Sequence, residues 1–76
     1  MNNLRRENLQ VLLTQLAEIQ DTLEVIKDQE EEYCGNIPEN LQGSERSEKA
    51  GAACDSLDEA VSNLEEAVDN IRNAIE

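Results

Sequence analysis

Histidine, tryptophan and phenylalanine are absent from this sequence, and the only aromatic residue is Tyr33. Without histidine there is no imidazole for general acid–base catalysis, for a catalytic triad or for a histidine-ligated zinc ion. Neither cysteine has a close basic neighbour in the sequence that would activate its thiol. No glycine-rich phosphate loop and no calcium-binding loop is present. These absences predict a protein that is not an enzyme and that binds no cofactor or metal.

Long apolar runs and basic residues are also scarce. No segment approaches the roughly 20 apolar residues of a membrane span, and the first ten residues do not resemble a signal peptide. Six bases stand against 18 acids, which gives a net charge of -12. Nucleic acids and anionic membranes are bound through basic surfaces, so we expect no direct contact with either. The acids serve solubility or bind a basic surface on another protein.

The 76 residues are enough for one small domain, residues 1–76, with a modest core. Its first half follows a heptad pattern that predicts a helix over residues 3–34, capped by Asn2 or Asn3 and stopped at Gly35 in a left-handed conformation. The two apolar rows of this helix are Leu9, Leu16 and Leu23, and then Leu12, Ile19, Ile26 and Tyr33.

The second half repeats every seven residues as DSLDEAV, SNLEEAV and DNIRNAI. This repeat predicts a helix over residues 44–75, with Ser44 as its N-cap and Glu45 and Glu48 in its first turn. Joined by a loop over residues 35–43, the two helices form an antiparallel coiled-coil hairpin, so the predicted fold class is all-α.

A register with Tyr33 opposite Ala50 matches large side chains with large ones along the hairpin. The same register places Cys34 opposite residue 49, which is about 7 Å along the axis from Cys54. Bridged Cα atoms are rarely more than about 6.8 Å apart, so we expect no disulfide and interpret Cys54 as a small buried residue.

The second helix has three apolar rows: Ala50, Leu57, Leu64 and Ile71; Ala53, Ala60, Ala67 and Ala74; and Cys54, Val61, Val68 and Ile75. A two-helix seam needs only two rows, and we expect the first two to form it. We expect the third row to stay partly exposed in a single hairpin and to pair two hairpins into a homodimeric four-helix bundle. The competing interpretation is that the row contacts a different protein. The predicted oligomer interface comprises Leu13, Cys54, Val61, Val68 and Ile75.

The connecting stretch NIPENLQGSE contains the only proline of the chain. Pro38 suits the first turn of a short helix, and we expect Ile37 and Leu41 to cover the end of the hairpin. Those roles leave several polar residues of the loop without a structural task. They form a candidate partner-binding loop: Glu39, Asn40, Gln42 and Arg46.

The run EEEYCGNIPENLQGSERSEKA, residues 30–50, followed by LDEAVSNLEEAVDNI, resembles a group of small acidic helical proteins of Gram-positive bacteria and their phages. The resemblance is good over residues 30–50 and looser over residues 18–76, and it provides no catalytic residue. It implies a phage or mobile-element setting and inhibition of a host protein. Together with the lack of a membrane span and of a signal peptide, this setting predicts a cytoplasmic location in a bacterial or phage-infected host cell.

Three functions remain open at this point. The first is a protein–protein interaction module that inhibits a host protein. The second is an acidic mimic of nucleic acid that blocks a nucleic-acid-binding host defence or regulatory protein. The third is a structural bundle whose only partner is itself.

Overall fold

A computed structural model describes all 76 residues as two long helices and one short turn of 3-10 helix. Helix α1 spans Asn3–Gly35, the 3-10 turn spans Glu39–Leu41, and helix α2 spans Glu45–Ile75. The two helices pack against each other in a rod of 59 × 15 × 13 Å, which confirms the all-α hairpin. Neither helix is long and apolar enough to cross a membrane.

Both helices begin at side-chain caps. The Asn2 Oδ1 atom accepts a hydrogen bond from the Arg5 amide at 2.8 Å, and the Ser44 Oγ atom accepts one from the Ser47 amide at 3.3 Å. Glu45 and Glu48 occupy the first turn of α2, where the helix dipole favours negative charge. The predicted cap at Ser44 is confirmed, and Asn2 caps α1.

The end of α1 differs from the expectation in its backbone. Gly35 belongs to the helix and does not adopt a positive φ; Asn36 follows as the C-cap, and its amide bonds to the carbonyls of Glu32 and Tyr33. The left-handed residue is Gly43, with φ of 82°, immediately before the cap of α2. The chain therefore turns sharply on entering α2.

The seam between the helices keeps part of the predicted rows, including Ala50 with 4% of its surface exposed, and replaces others. On α2 it is the row containing Val61 and Val68 that is buried, with 7% and 6% of their surface exposed. On α1 the row Leu12, Ile19, Ile26 and Tyr33 is exposed. Its place in the seam is taken by a mixed row, which lies half-buried beside Leu9, Leu16 and Leu23: Arg6, Leu13, Gln20, Lys27 and Cys34.

Two contacts across the seam fix how far the helices are displaced along each other. The Lys27 Nζ atom lies 3.0 Å from an Asp58 carboxylate oxygen, and the Arg6 Nε atom donates to the Ile75 carbonyl at 3.2 Å. Both contacts agree, to within about a helical turn, with a register that sets Ile19 level with Leu64 and Ile26 level with Leu57. The axial part of the predicted register therefore agrees with the structure. The predicted rotation of the helices about their own axes does not.

Candidate functional site

At the loop end of the hairpin, Ile37 is covered more fully than Leu41. Ile37 is buried, with 7% of its surface exposed, while Leu41 is 37% exposed. Leu41 belongs to the 3-10 turn that starts after Pro38, and its amide donates to the Pro38 carbonyl at 2.9 Å. The expectation that both residues cover the hairpin end is therefore confirmed for Ile37 and holds only in part for Leu41, which lines a hollow at this end with Ile37 and Tyr33.

The four polar residues of the predicted partner-binding loop fall into two groups. Glu39, Asn40 and Gln42 are exposed on or beside the 3-10 turn and make no side-chain hydrogen bond or ion pair within the chain. Arg46 lies in the first turn of α2, where its guanidinium sits 5.5 Å from the centre of the Tyr33 ring and its Nε atom donates to the Tyr33 hydroxyl. Arg46 therefore links α2 to α1 through an exposed contact, and the other three candidate residues make no contact of this kind within the chain.

The five residues predicted as an oligomer interface lie in the seam of the hairpin. Val61 and Val68 are buried within a single chain, and Leu13, Cys54 and Ile75 are half-buried. The prediction that this row stays partly exposed in a single hairpin was wrong for Val61 and Val68. The misleading signal was polarity: the seam row of α1 contains Arg6, Gln20 and Lys27, so the uniformly apolar row beside it looked like the better seam.

A different apolar surface is exposed instead, and we call it the open face. It consists of Leu12, Ile19 and Ile26 on α1 with Leu57, Leu64 and Ile71 on α2. The α1 residues are 41%, 53% and 47% exposed, whereas those of α2 are half-buried. Ala60 and Ala67 border the α2 side. Exposed apolar surface of this extent is characteristic of an interaction site.

Both halves of the open face lie on the same side of the hairpin. Each of its residues precedes a residue of its own helix's seam rows by four positions, as Ile19 precedes Leu23 and Leu64 precedes Val68. Antiparallel helices are related by an approximate twofold axis perpendicular to the hairpin plane, so equal rotations from the seam bring both rows to one side. Between Ile19, Leu23 and Ile26 the surface forms an open hollow, bordered by Thr22 and Glu18.

The rows that flank the open face contain little charge, although Glu18 borders the hollow at its centre. On α1 the flanking row, at heptad spacing, is Asn8, Gln15, Thr22 and Gln29. On α2 it is Ser56, Asn63 and Asn70, preceded by Lys49. At 100° per residue, most of the 18 acids fall on the opposite side and the back of the rod.

The ion pair across the seam shifts the pKa of one partner. The pKa of Lys27 is raised above its ordinary value, mainly because the ammonium donates a hydrogen bond to Asp58 and lies beside its negative charge. Glu31, whose carboxylate is 3.8 Å from the same nitrogen, adds to the shift. A salt bridge of this kind sets the register more than it adds stability.

Cys34 and Cys54 both lie on rows that face the seam, and neither is bridged. The pKa of the Cys54 thiol is raised, first by its removal from water between the helices and then by the Cys34 thiol, which acts through its charge and as a hydrogen-bonding partner. Glu30 and Glu31 add smaller contributions in the same direction. Both cysteines are free, and the expectation that they form no disulfide stays a prediction.

No group of three or more histidine, cysteine, aspartate or glutamate side chains is placed to hold a metal ion. Comparison with models of protein families, with characterised proteins and with solved structures gives no match to this chain.

Proposed function

We propose that this chain is a non-enzymatic protein–protein interaction module that works as a dimer of hairpins, paired through the open face. The observation that carries the proposal is the near absence of charge around an exposed apolar surface on a chain of net charge -12. Two copies with the same large negative charge repel each other, so they can approach closely only through a surface that carries little charge.

A second copy fits the open face better than a basic partner does. A basic partner is attracted by acidic residues around the apolar centre, and the flanking rows offer amides and hydroxyls instead. Pairing two hairpins would turn a half-covered seam into the core of a four-helix bundle, with alanines allowing close approach of the helices. Burial of one leucine or isoleucine side chain contributes roughly 1.5–3 kcal/mol, so three such residues per helix are enough to decide whether a small hairpin is stable.

One isoleucine and one valine on α1, which are almost equally exposed, provide a matched test of this pairing. Ile19 and Val25 are 53% and 55% exposed, but Ile19 lies in the open face and Val25 on the outer side of α1. We expect Ile19→Glu to convert the dimer to a monomer in sedimentation equilibrium, and Val25→Glu to leave the dimer unchanged. A wild-type monomer at about 100 µM, far above the Kd of a specific dimer, would refute the proposal.

The dimer leaves the loop end free to bind another protein. Glu39, Asn40 and Gln42 have no partner within the chain, and a rigid helical rod presents them at its tip. The resemblance to small phage-associated proteins supports a host protein as the partner. The test is a triple substitution of these residues by alanine, which should leave thermal unfolding and dimerisation intact and abolish capture of the partner from a host lysate.

An acidic mimic of nucleic acid is the second candidate, and the outward position of the acids favours it. A partner held by these acids should be a nucleic-acid-binding protein, and its capture should be lost near 1 M salt and survive the triple alanine substitution. Capture that survives salt and fails with the triple variant supports the loop. Dimers that capture nothing favour a purely structural bundle.

A further inference from the structure

We infer that Arg5 of one hairpin binds a hollow at the loop end of a second copy of this chain, where its guanidinium pairs with Glu30. This contact rests on the proposed dimer, and it adds one polar pairing at each end of the apolar surface. Two observations point to it: an acid and a base that have no partner within the chain, and a register that brings them together.

The hollow lies where the open face reaches the loop end of the rod, and we call it the Glu30 hollow. Tyr33 follows Ile26 in the α1 row at heptad spacing, and Ala50 precedes Leu57 in the α2 row. Two acidic and two basic side chains complete the lining, which comprises Glu30, Tyr33, Glu45, Arg46, Lys49 and Ala50. The hollow therefore continues the rows of the open face and adds charge at their end.

Glu30 is the one carboxylate of the hollow that has no partner. It follows Leu23 by one heptad in the leucine row of α1, and it is the only acid of the chain that is half-buried rather than exposed. It makes no ion pair or side-chain hydrogen bond, whereas the Lys49 ammonium lies 3.1 Å from a Glu45 carboxylate oxygen and Arg46 donates to the tyrosine hydroxyl. Because a half-buried carboxylate has lost part of its hydration, it gains from an added cation.

Arg5 is the one basic side chain that has no partner. The chain has six bases, and all the others pair with a carboxylate or donate a hydrogen bond within the chain: Arg6, Lys27, Arg46, Lys49 and Arg72. Arg5 is exposed, and only its backbone amide is bonded to a side chain. It precedes Leu12 by one heptad, so it is the only charged member of the open-face rows and lies at the end away from the loop.

Pairing through the open face brings the free base of each copy to the free acid of the other. The α1 row is centred on Ile19; Arg5 lies two heptads before Ile19 and Tyr33 two heptads after it. A twofold axis at the height of Ile19 therefore sets Arg5 level with Tyr33 of the partner subunit. Glu30 of the partner subunit is three residues nearer the centre, about 4.5 Å along the axis, which a long arginine side chain can cover. This axis also keeps the two acidic loop ends apart.

Two charge reversals made in separate chains test the contact. Arg5→Glu and Glu30→Lys each place like charges together at both ends of a homodimer, so we expect the Kd of either variant in sedimentation equilibrium to rise at least about tenfold. In a heterodimer of the two variants every contact again joins opposite charges, so their equimolar mixture should dimerise with a Kd within about threefold of the wild type. Lys27 shows that a lysine stem is accommodated at a half-buried position of α1.

Arg72→Glu is the matched control, because it changes the net charge as Arg5→Glu does and lies at the same end of the rod. Arg72 belongs to the row of Asp58, across the seam from the open face, so its reversal should raise the Kd less than about threefold at about 0.15 M salt. A wild-type monomer would refute the proposed dimer itself. A wild-type dimer that Arg5→Glu leaves unchanged, or a mixture that dimerises no better than either variant, would overturn only this contact and leave the hollow to a basic residue of a different protein.

Discussion

Single side chains at the loop end carry unequal shares of the stability. Ile37 is buried under the end of the hairpin, whereas Leu41 keeps 37% of its surface exposed. Truncation of a buried isoleucine removes its transfer free energy and leaves a cavity, while truncation of an exposed leucine does neither in full. Two apolar residues of the same loop therefore contribute differently to stability.

The first prediction compares these two residues. Ile37→Ala should lower the free energy of unfolding by about 2–4 kcal/mol, and Leu41→Ala by less than about 1.5 kcal/mol. The measurement is urea unfolding followed by circular dichroism at one fixed protein concentration, since the chain is proposed to dimerise. Equal losses for the two variants would mean that Leu41 is covered in solution.

The second prediction concerns pH and the Lys27–Asp58 pair. The folded-state pKa of Lys27 is raised above its ordinary value of 10.5, which it keeps in the unfolded chain. The stabilisation is therefore complete below that value and is lost as the pH rises through the higher pKa of the folded state. The extra stability of the wild type over Lys27→Met should shrink as the pH rises from about 9 to about 12.

A partner substitution controls for the other groups that titrate at high pH. Tyr33 and the two cysteines are present in the wild type and in both variants, so their effects cancel in the comparison. Asp58→Asn should remove the same pH-dependent difference as Lys27→Met. If the difference between wild type and Lys27→Met stays constant with pH, the ion pair does not form in solution.

At the scale of the helices, the two ends of the loop have different backbone conformations. Helix α1 ends in ordinary helical backbone at Gly35, and the chain needs a left-handed residue only at Gly43, just before the Ser44 cap. Glycine adopts that conformation freely, whereas a residue with a Cβ atom is strained there. Glycine within a helix has the opposite effect, because it lowers helix propensity.

The third prediction is a pair of glycine substitutions with opposite signs. Gly43→Ala should lower the free energy of unfolding by about 1–2 kcal/mol, because its φ of 82° is strained for alanine. Gly51→Ala should raise it by up to about 1 kcal/mol, because the new Cβ atom meets nothing within 4 Å and alanine favours the helix. Thermal unfolding distinguishes the two; a stabilised Gly43→Ala variant would contradict the turn geometry.

The sequence predicts where the helices begin and end better than it predicts how they are rotated against each other. Heptad spacing and capping residues act locally, so the helices, the Ser44 cap and the hairpin can be predicted from the amino-acid sequence. The rotation of the helices about their axes depends on competition between rows, and the aliphatic stems of Arg6 and Lys27 allow a polar row into the seam of α1. The sequence therefore predicts a seam made of the open-face rows. It also predicts an oligomer interface at the row of Val61 and Val68, which lies in the seam of the structure.

At the scale of the whole molecule, charge is distributed unevenly along the rod. Residues 28–49, around the loop, contain seven acids and two bases, a net charge of −5. The opposite end, residues 1–8 with residues 69–76, contains three acids and three bases and is neutral in sum. Two hairpins that pair with their loops at the same end bring the two acidic ends together, whereas opposite orientation separates them.

The apolar rows also suit opposite orientation. The row Leu12, Ile19 and Ile26 is centred on Ile19, and the row Leu57, Leu64 and Ile71 is centred on Leu64, at nearly the same height along the rod. A twofold axis through that height and perpendicular to the rod relates the two copies. It sets Leu12 of one copy level with Ile26 of the other, and Leu57 of one copy level with Ile71 of the other. Every large residue of the open face then meets a large residue of the partner copy.

The last prediction tests this orientation with single cysteines in a background where Cys34 and Cys54 are both replaced by serine. If the hairpins pair in opposite directions, Leu12→Cys and Ile26→Cys chains should each form little disulfide dimer alone. Their equimolar mixture should cross-link readily under mild oxidation, since position 12 of one copy then lies beside position 26 of the other. Val25→Cys, on the outer side of α1, is the control that should not cross-link in any mixture. Non-reducing gels provide the measurement. Rapid homodimer formation by Leu12→Cys alone would place like positions together and show that the loops lie at the same end, against the repulsion between them.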